Sequence, residues 1–159
     1  MIKTKNSGFS LLELLVVLAI IGLLAGVISI AMSQARIRGR DAKRAGDMRQ
    51  MITSLDQYYV QHGIYPTGTA AVGGTGVLLS DPAAFDSAEE AMIPNYVPMM
   101  PTAPSPADGS CDSGSGRGGN NYWYEVEGDG STYTMTFCLG KGTESWPAGT
   151  RFATPEGVK

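Results

Sequence analysis

The sequence predicts an α+β protein: one long N-terminal α-helix, membrane-spanning in its first half, packed through its second half on a small antiparallel β-sheet head. Three observations carry this. Leu14 to Ile28 holds no charged residue, and with its flanks the apolar run reaches about 20 residues, enough to cross a bilayer's hydrocarbon layer as a helix. Ala45, Met48, Ile52, Leu55 and Tyr59 then recur at spacings of three and four, the stripe of an amphipathic helix. Past His62, glycine and proline become dense, and two alternating, aromatic-rich runs follow, the pattern of loops and strands.

Residues 1–8 are short and polar, with Lys3 and Lys5. No proline occurs between Phe9 and Gln61, so residues 9–32 and 33–62 read as the membrane half and the amphipathic half of a single helix. Arg40, Lys43, Asp47, Gln50, Ser54 and Gln57 fall off the apolar stripe. Gly22 and Gly26 form a small-xxx-small pair that lets helices approach closely in a membrane. Gly63 suits a C-cap, and Pro66 bars continuation.

Residues 63–159 make the head. Residues 67–80 read as a loop. Asp81-Pro82 has the form of an N-cap followed by proline at the first helical position, so a short helix is expected near 82–92. Residues 94–121 read as a long surface loop rich in Pro, Gly and Ser. A hairpin over 122–139 follows, with strands at 122–127 and 132–139 around a GDGS turn. The tail GTRFATPEG is expected to add a short edge strand.

The net charge of −3 conceals a split. From Arg36 to Arg49 six Lys/Arg face two Asp, a net +4; from Met51 onward four Lys/Arg face twelve Asp/Glu, a net −8. An acidic head argues against nucleic-acid binding, because phosphate contacts need Lys and Arg. The basic neck reads as a solvated or salt-bridged helix face, or one that meets acidic surfaces of neighbouring heads or anionic headgroups. Cys111 and Cys138 are the only cysteines. Exported, such a pair reads as one disulfide; in the cytosol it reads as two free thiols.

Glu13 is the only charge in the apolar run. A charged side chain at mid-membrane costs about 2.5–3.5 kcal/mol on insertion scales, so it is expected to need a partner. Cleavage between Gly8 and Phe9 would supply one, by creating an ammonium on Phe9 four residues away on the same helix face. The pair can form within one subunit or between stacked neighbours, where it would set the assembly register.

The string Gly8-Phe9-Ser10-Leu11-Leu12-Glu13-Leu14-Leu15, after a short basic leader, resembles the prepilin signal of type IV pilins and type II secretion pseudopilins. A second, local likeness lies at Tyr58-Tyr59-Val60-Gln61-His62-Gly63-Ile64-Tyr65-Pro66. The resemblance implies the pilin fold, removal of residues 1–8 by a prepilin peptidase, N-methylation of Phe9, and assembly guided by Phe9 and Glu13. It further implies a homopolymeric filament, with a membrane platform protein and a cytoplasmic assembly ATPase as partners. The subunit would sit in the inner (cytoplasmic) membrane as a single-pass protein with its head outside, then enter a cell-surface or periplasmic filament. A major-subunit-like role is expected, the alternative being a pseudopilin of a type II secretion or DNA-uptake apparatus.

Other readings compete. Ser33-Gln34-Ala35 has the form of an ordinary signal-peptidase site, which would release a soluble secreted domain starting at Arg36. Counting Lys and Arg at the span ends would put the head in the cytoplasm; the prepilin resemblance puts it outside, and a disulfide would favour export. No enzyme is expected: His62 is the sole histidine, no G-x-S-x-G motif occurs, and Glu89-Glu90 reads as a solubilising pair. No cofactor and no metal are expected. Asp108, Asp112 and Asp129, with Asn120 and Asn121, are loop oxygen donors of the type calcium prefers, but their spacing fits no calcium loop.

Overall fold

A computed structural model describes residues 9–67, 77–78, 92–109, 111 and 119–159. The chain divides into two compact units, 1–36 and 37–159. One helix, α1 (Leu11–His62), enters both. It ends where Gly63 takes φ +75 and donates its N–H to the Tyr59 carbonyl, a glycine C-cap.

In the first unit every residue from Leu11 to Ser33 is exposed. The helix is long and apolar enough to cross a membrane, and none of its apolar window is buried within the protein. Ser29, a polar residue inside the run, back-bonds its hydroxyl to the Ala25 carbonyl, which satisfies the hydroxyl without a partner outside the helix.

The second unit holds the core. The strands are β1 (Val77–Leu78), β2 (Trp123–Val126), β3 (Tyr133–Gly142), β4 (Pro147–Thr154) and β5 (Gly157–Val158). They form one sheet in sequence order, with every neighbouring pair antiparallel. A short helix, α2 (Met92–Asn95), precedes β2. Helix residues Met48, Met51, Leu55 and Tyr58 share one apolar cluster with Tyr124, Val126, Tyr133, Met135, Phe137 and Leu139 of the sheet. Burying each such aliphatic side chain is worth about 1.5–3 kcal/mol.

The buried face of the helix differs from the expected stripe. It runs Asp41, Arg44, Ala45, Met48, Met51, Ser54, Leu55 and Tyr58. Ile52 is only half-buried and Tyr59 is 41% exposed. The face is rotated because it includes a charged pair and a serine that apolar counting discards. Ser54 donates to the Tyr96 carbonyl and so can be buried. Tyr59 lies at the rim and stacks on Tyr65.

Two head expectations also shift, and a third falls outside the described residues. The stretch 67–80 was expected to be loop, yet β1 pairs Val77 with Tyr124 and Leu78 with Trp123. The tail does more than add an edge: β4 pairs with β3 from Met135 to Gly142, and β5 is the edge. Only Ala153 of β4 is fully buried, so the strand lacks the alternation that would announce it. The short helix expected near 82–92 lies outside the described residues, except Met92 at the start of α2.

The hairpin turn is tied back to the end of the helix. Tyr65 N–H donates to the Gly130 carbonyl at 2.8 Å, and Tyr124 Oη donates to the Pro66 carbonyl at 3.0 Å. Gly130 takes φ +70, and a Cβ there would lie 2.9 Å from that of Ile64, so both the turn and the close approach need glycine.

Candidate processing and assembly site, and the buried lock on the head

The first turn of α1 positions the functional candidates of the N-terminal unit. Phe9 is 86% exposed and lies just outside the helix. Ser10 is the N-cap. Its N–H donates to Glu13 Oε2 at 2.8 Å, and Glu13 N–H donates to Ser10 Oγ at 3.2 Å. This is a reciprocal capping box, which satisfies two of the orphan donors of a helix start. The expectation that cleavage supplies Glu13 with its partner is corrected in part: one carboxylate oxygen already accepts from the Ser10 N–H. The S-x-x-E spacing is the sequence signal for this box, and it coincides with the one charge of the apolar run. Gly8 lies outside the described residues.

A second constellation lies wholly in the head unit. Asp41 and Arg44 are fully buried and bridge at 2.8 Å. Asp41 also accepts from three consecutive backbone amides: Gly140 at 2.9 Å, Lys141 at 2.8 Å and Gly142 at 3.0 Å. These amides converge because the β3–β4 register shifts between Leu139 and Gly142; a bulge of this kind re-aims the backbone. Arg44 Nη2 reaches Asn120 Oδ1 at 2.7 Å and the Pro104 and Pro106 carbonyls at 3.2 and 3.5 Å. Asp108 takes a two-pronged bond from Arg40, at 2.5 and 2.6 Å, and faces Arg44 Nη1 at 3.5 Å. The bond from Arg40, aided by both arginine charges, holds the Asp108 carboxyl below its ordinary value against the opposing effect of burial.

These contacts reassign the neck charges. Arg40 and Arg44 are neutralised inside their own head. Arg49 lies 4.9 Å over the Trp146 ring, and Lys43 donates to the Thr102 carbonyl. Four of the six basic residues are thus engaged internally, so the +4 count overstates what is left for neighbouring heads. Sequence inspection missed this network because its members are scattered over 41, 44, 108, 120 and 140–142.

Cys111 and Cys138 form the disulfide. Of the calcium candidates, Asp108 is occupied by arginines, Asp129 is exposed and accepts from Ser131 N–H, and Asp112 lies outside the described residues. Asn120 serves Arg44. His62 stacks on Tyr58 and shares a hydrogen bond with Tyr96 Oη, a packing role at the helix end.

A capped, exposed apolar helix followed by an antiparallel-sheet head is a pilin-like α+β arrangement. Residues 3–29 match the prokaryotic N-terminal methylation motif. The chain is 28% identical to type II secretion system core protein G of Aeromonas hydrophila over 102 residues, 64% of this chain and 69% of that protein. It is 25% identical to the Vibrio cholerae core protein G over 146 residues, 92% and 88% of the two chains. With the type IV major pilin protein PilE of Neisseria gonorrhoeae it shares 31% identity over 71 residues, 45% of this chain and 42% of that one. No solved structure matches it. The chain thus carries the N-terminal methylation motif and is similar to pilins and pseudopilins of type IV pili and type II secretion.

Proposed function

We propose that this chain is a structural, non-catalytic subunit that is cut between Gly8 and Phe9 by a prepilin peptidase, methylated on Phe9, and polymerised through α1 into a filament as a major-type subunit. The observation that carries this is the exposed helical stretch Leu11–Ser33, with Glu13 as its single charge, four residues beyond Phe9. An apolar face of that length is stable only in lipid or against other such helices. The subunit waits as a single-pass protein of the cytoplasmic membrane with its head outside. The disulfide supports that side, since such bonds persist in oxidising compartments. A platform protein and an assembly ATPase are the partners the family implies.

The test is the intact mass of the protein from native envelope fractions. A chain beginning at Phe9 with one added methyl is expected. A chain beginning at Arg36 would make it a soluble secreted domain, and one beginning at Met1 an unprocessed anchor.

A second reading, a pseudopilin of a secretion or DNA-uptake apparatus, has its own support: the likeness to protein G extends over 92% of the chain, against 45% for the pilin. Deleting the gene separates the two. Loss of surface fibres with normal protein secretion supports the pilus subunit, and the reverse supports the pseudopilin.

A further inference from the structure

The disulfide and the buried ionic cluster share one framework. Cys111 N–H donates to the Asp108 carbonyl at 3.0 Å, so the half-cystine and the carboxylate belong to one turn. On the facing strand, Cys138 lies two residues before Gly140, whose N–H is bound to Asp41. Between them Gly109 and Gly140 pass in backbone contact: a Cβ on Gly109 would lie 2.0 Å from the Gly140 carbonyl oxygen. The Cys111–Cys138 bond therefore joins the two walls of the cage around Arg44. One wall supplies Asp108 and the Pro104 and Pro106 carbonyls; the other supplies the amides that hold Asp41.

A guanidinium in such a cage has two acceptable states. With all partners in place it is ion-paired and hydrogen-bonded; with one wall gone it is a buried charge poorly compensated, a strongly unfavourable condition. Returned to water on an open helix face, it is solvated again. Intermediate arrangements are disfavoured, so closure of the cage is cooperative.

We propose that the Cys111–Cys138 bond and the Asp41–Arg44–Asp108 cluster form one redox-sensitive lock, in which thiol oxidation completes the cage around Arg44 and reduction opens it. Closure removes two protons and two electrons from the thiols; they pass to a disulfide-bearing oxidant, which leaves as its dithiol. In the thiol form Arg40 and Arg44 lose Asp108 and lie on the open helix face, with Asp41 the carboxylate that stays beside Arg44. In the disulfide form both are neutralised inside the head. A reducing cytosol thus keeps this stretch cationic, and an oxidising compartment converts it to core. The lock does not depend on polymerisation.

The test uses the full-length protein in detergent micelles, oxidised and after mild reduction, with hydrogen exchange read at single amides. Reduction is expected to speed exchange at Gly140, Lys141 and Gly142 by about tenfold or more while Trp123–Val126 stays protected, the signature of a local opening. Unchanged exchange at the three amides, or an equal rise in both regions, overturns the lock and leaves the bond a general staple. Because coupling is reciprocal, Asp108→Asn should make the disulfide easier to reduce in a dithiol redox buffer, while Glu156→Gln leaves it unchanged. An Asp108→Asn protein reduced no more readily than the parent also overturns it.

Discussion

The Arg44 guanidinium lies 2.8 Å from the Asp41 carboxylate, three residues away on α1, and both side chains are fully excluded from solvent. Neither charge could be buried alone. Asp41 is held by three further backbone donors, and Arg44 by oxygens from residues 60 and 76 positions along the chain. The pair therefore fastens this part of the helix to the head by chemistry and not by apolar contact.

Removing one partner leaves the other buried and uncompensated. Asp41→Ala is expected to destabilise the head by about 3–5 kcal/mol, read from the shift of a denaturant midpoint. Glu156→Ala breaks only the exposed pair with Lys159 and is expected to stay within about 0.5 kcal/mol. Similar losses in the two variants would count against the buried pair.

Acid should attack the same place. The Asp108 carboxyl is held below its ordinary value of 3.8, chiefly by the bond from Arg40. A depressed folded value means the stabilisation is complete above the unfolded value and is lost as pH falls through the folded one. The thermal midpoint is thus expected to drop as pH is lowered from about 4 downward, and Asp108→Asn should flatten that part of the profile. A profile that is equally steep in the variant would place the acid sensitivity elsewhere.

The capping box allows the two roles of Glu13 to be separated. Glutamine keeps the reach-back bond of the box but carries no charge. Glu13→Gln is therefore expected to leave helix initiation intact and abolish filament yield, whereas Ser10→Ala loses a cap worth about 1 kcal/mol and lowers yield in part. Wild-type fibre yield from Glu13→Gln, by electron microscopy of sheared fractions, would remove the charge from the assembly step.

Glycines separate by what surrounds them. A Cβ on Gly140 would lie 2.5 Å from that of Asp108, whereas one on Gly46 meets nothing within 4 Å. Gly140→Ala is expected to cost about 1–3 kcal/mol or more through forced displacement. Gly46→Ala, in the helix, is expected to stabilise by up to about 1 kcal/mol. Thermal midpoints moving in opposite directions are the check.

Much of this protein could be read before any coordinates. The uncharged run Leu14–Ile28 and the Gly8–Glu13 string pointed to the fold class and the pilin resemblance, because each is a local pattern; the two cysteines offered the disulfide as one of two readings, and the structure forms it. The capping box is equally local, but its glutamate is also the single charge of the apolar run, and that second signal masks the first. Strand β4 was legible only in part, since its residues are half-exposed and alternate weakly.

What the sequence determined by itself is the long helix and its apolar half, where hydrophobicity along a few turns decides the outcome. The tertiary structure alone decided which face of the remaining helix is buried and what its arginines do. Asp41, Arg44, Asp108, Asn120 and Gly140–Gly142 have no common signal along the chain. They acquire a shared purpose only when the bulge of β3 and the loop before Cys111 bring oxygens and amides to one buried point, because desolvation makes a charge tolerable only where enough partners converge on it.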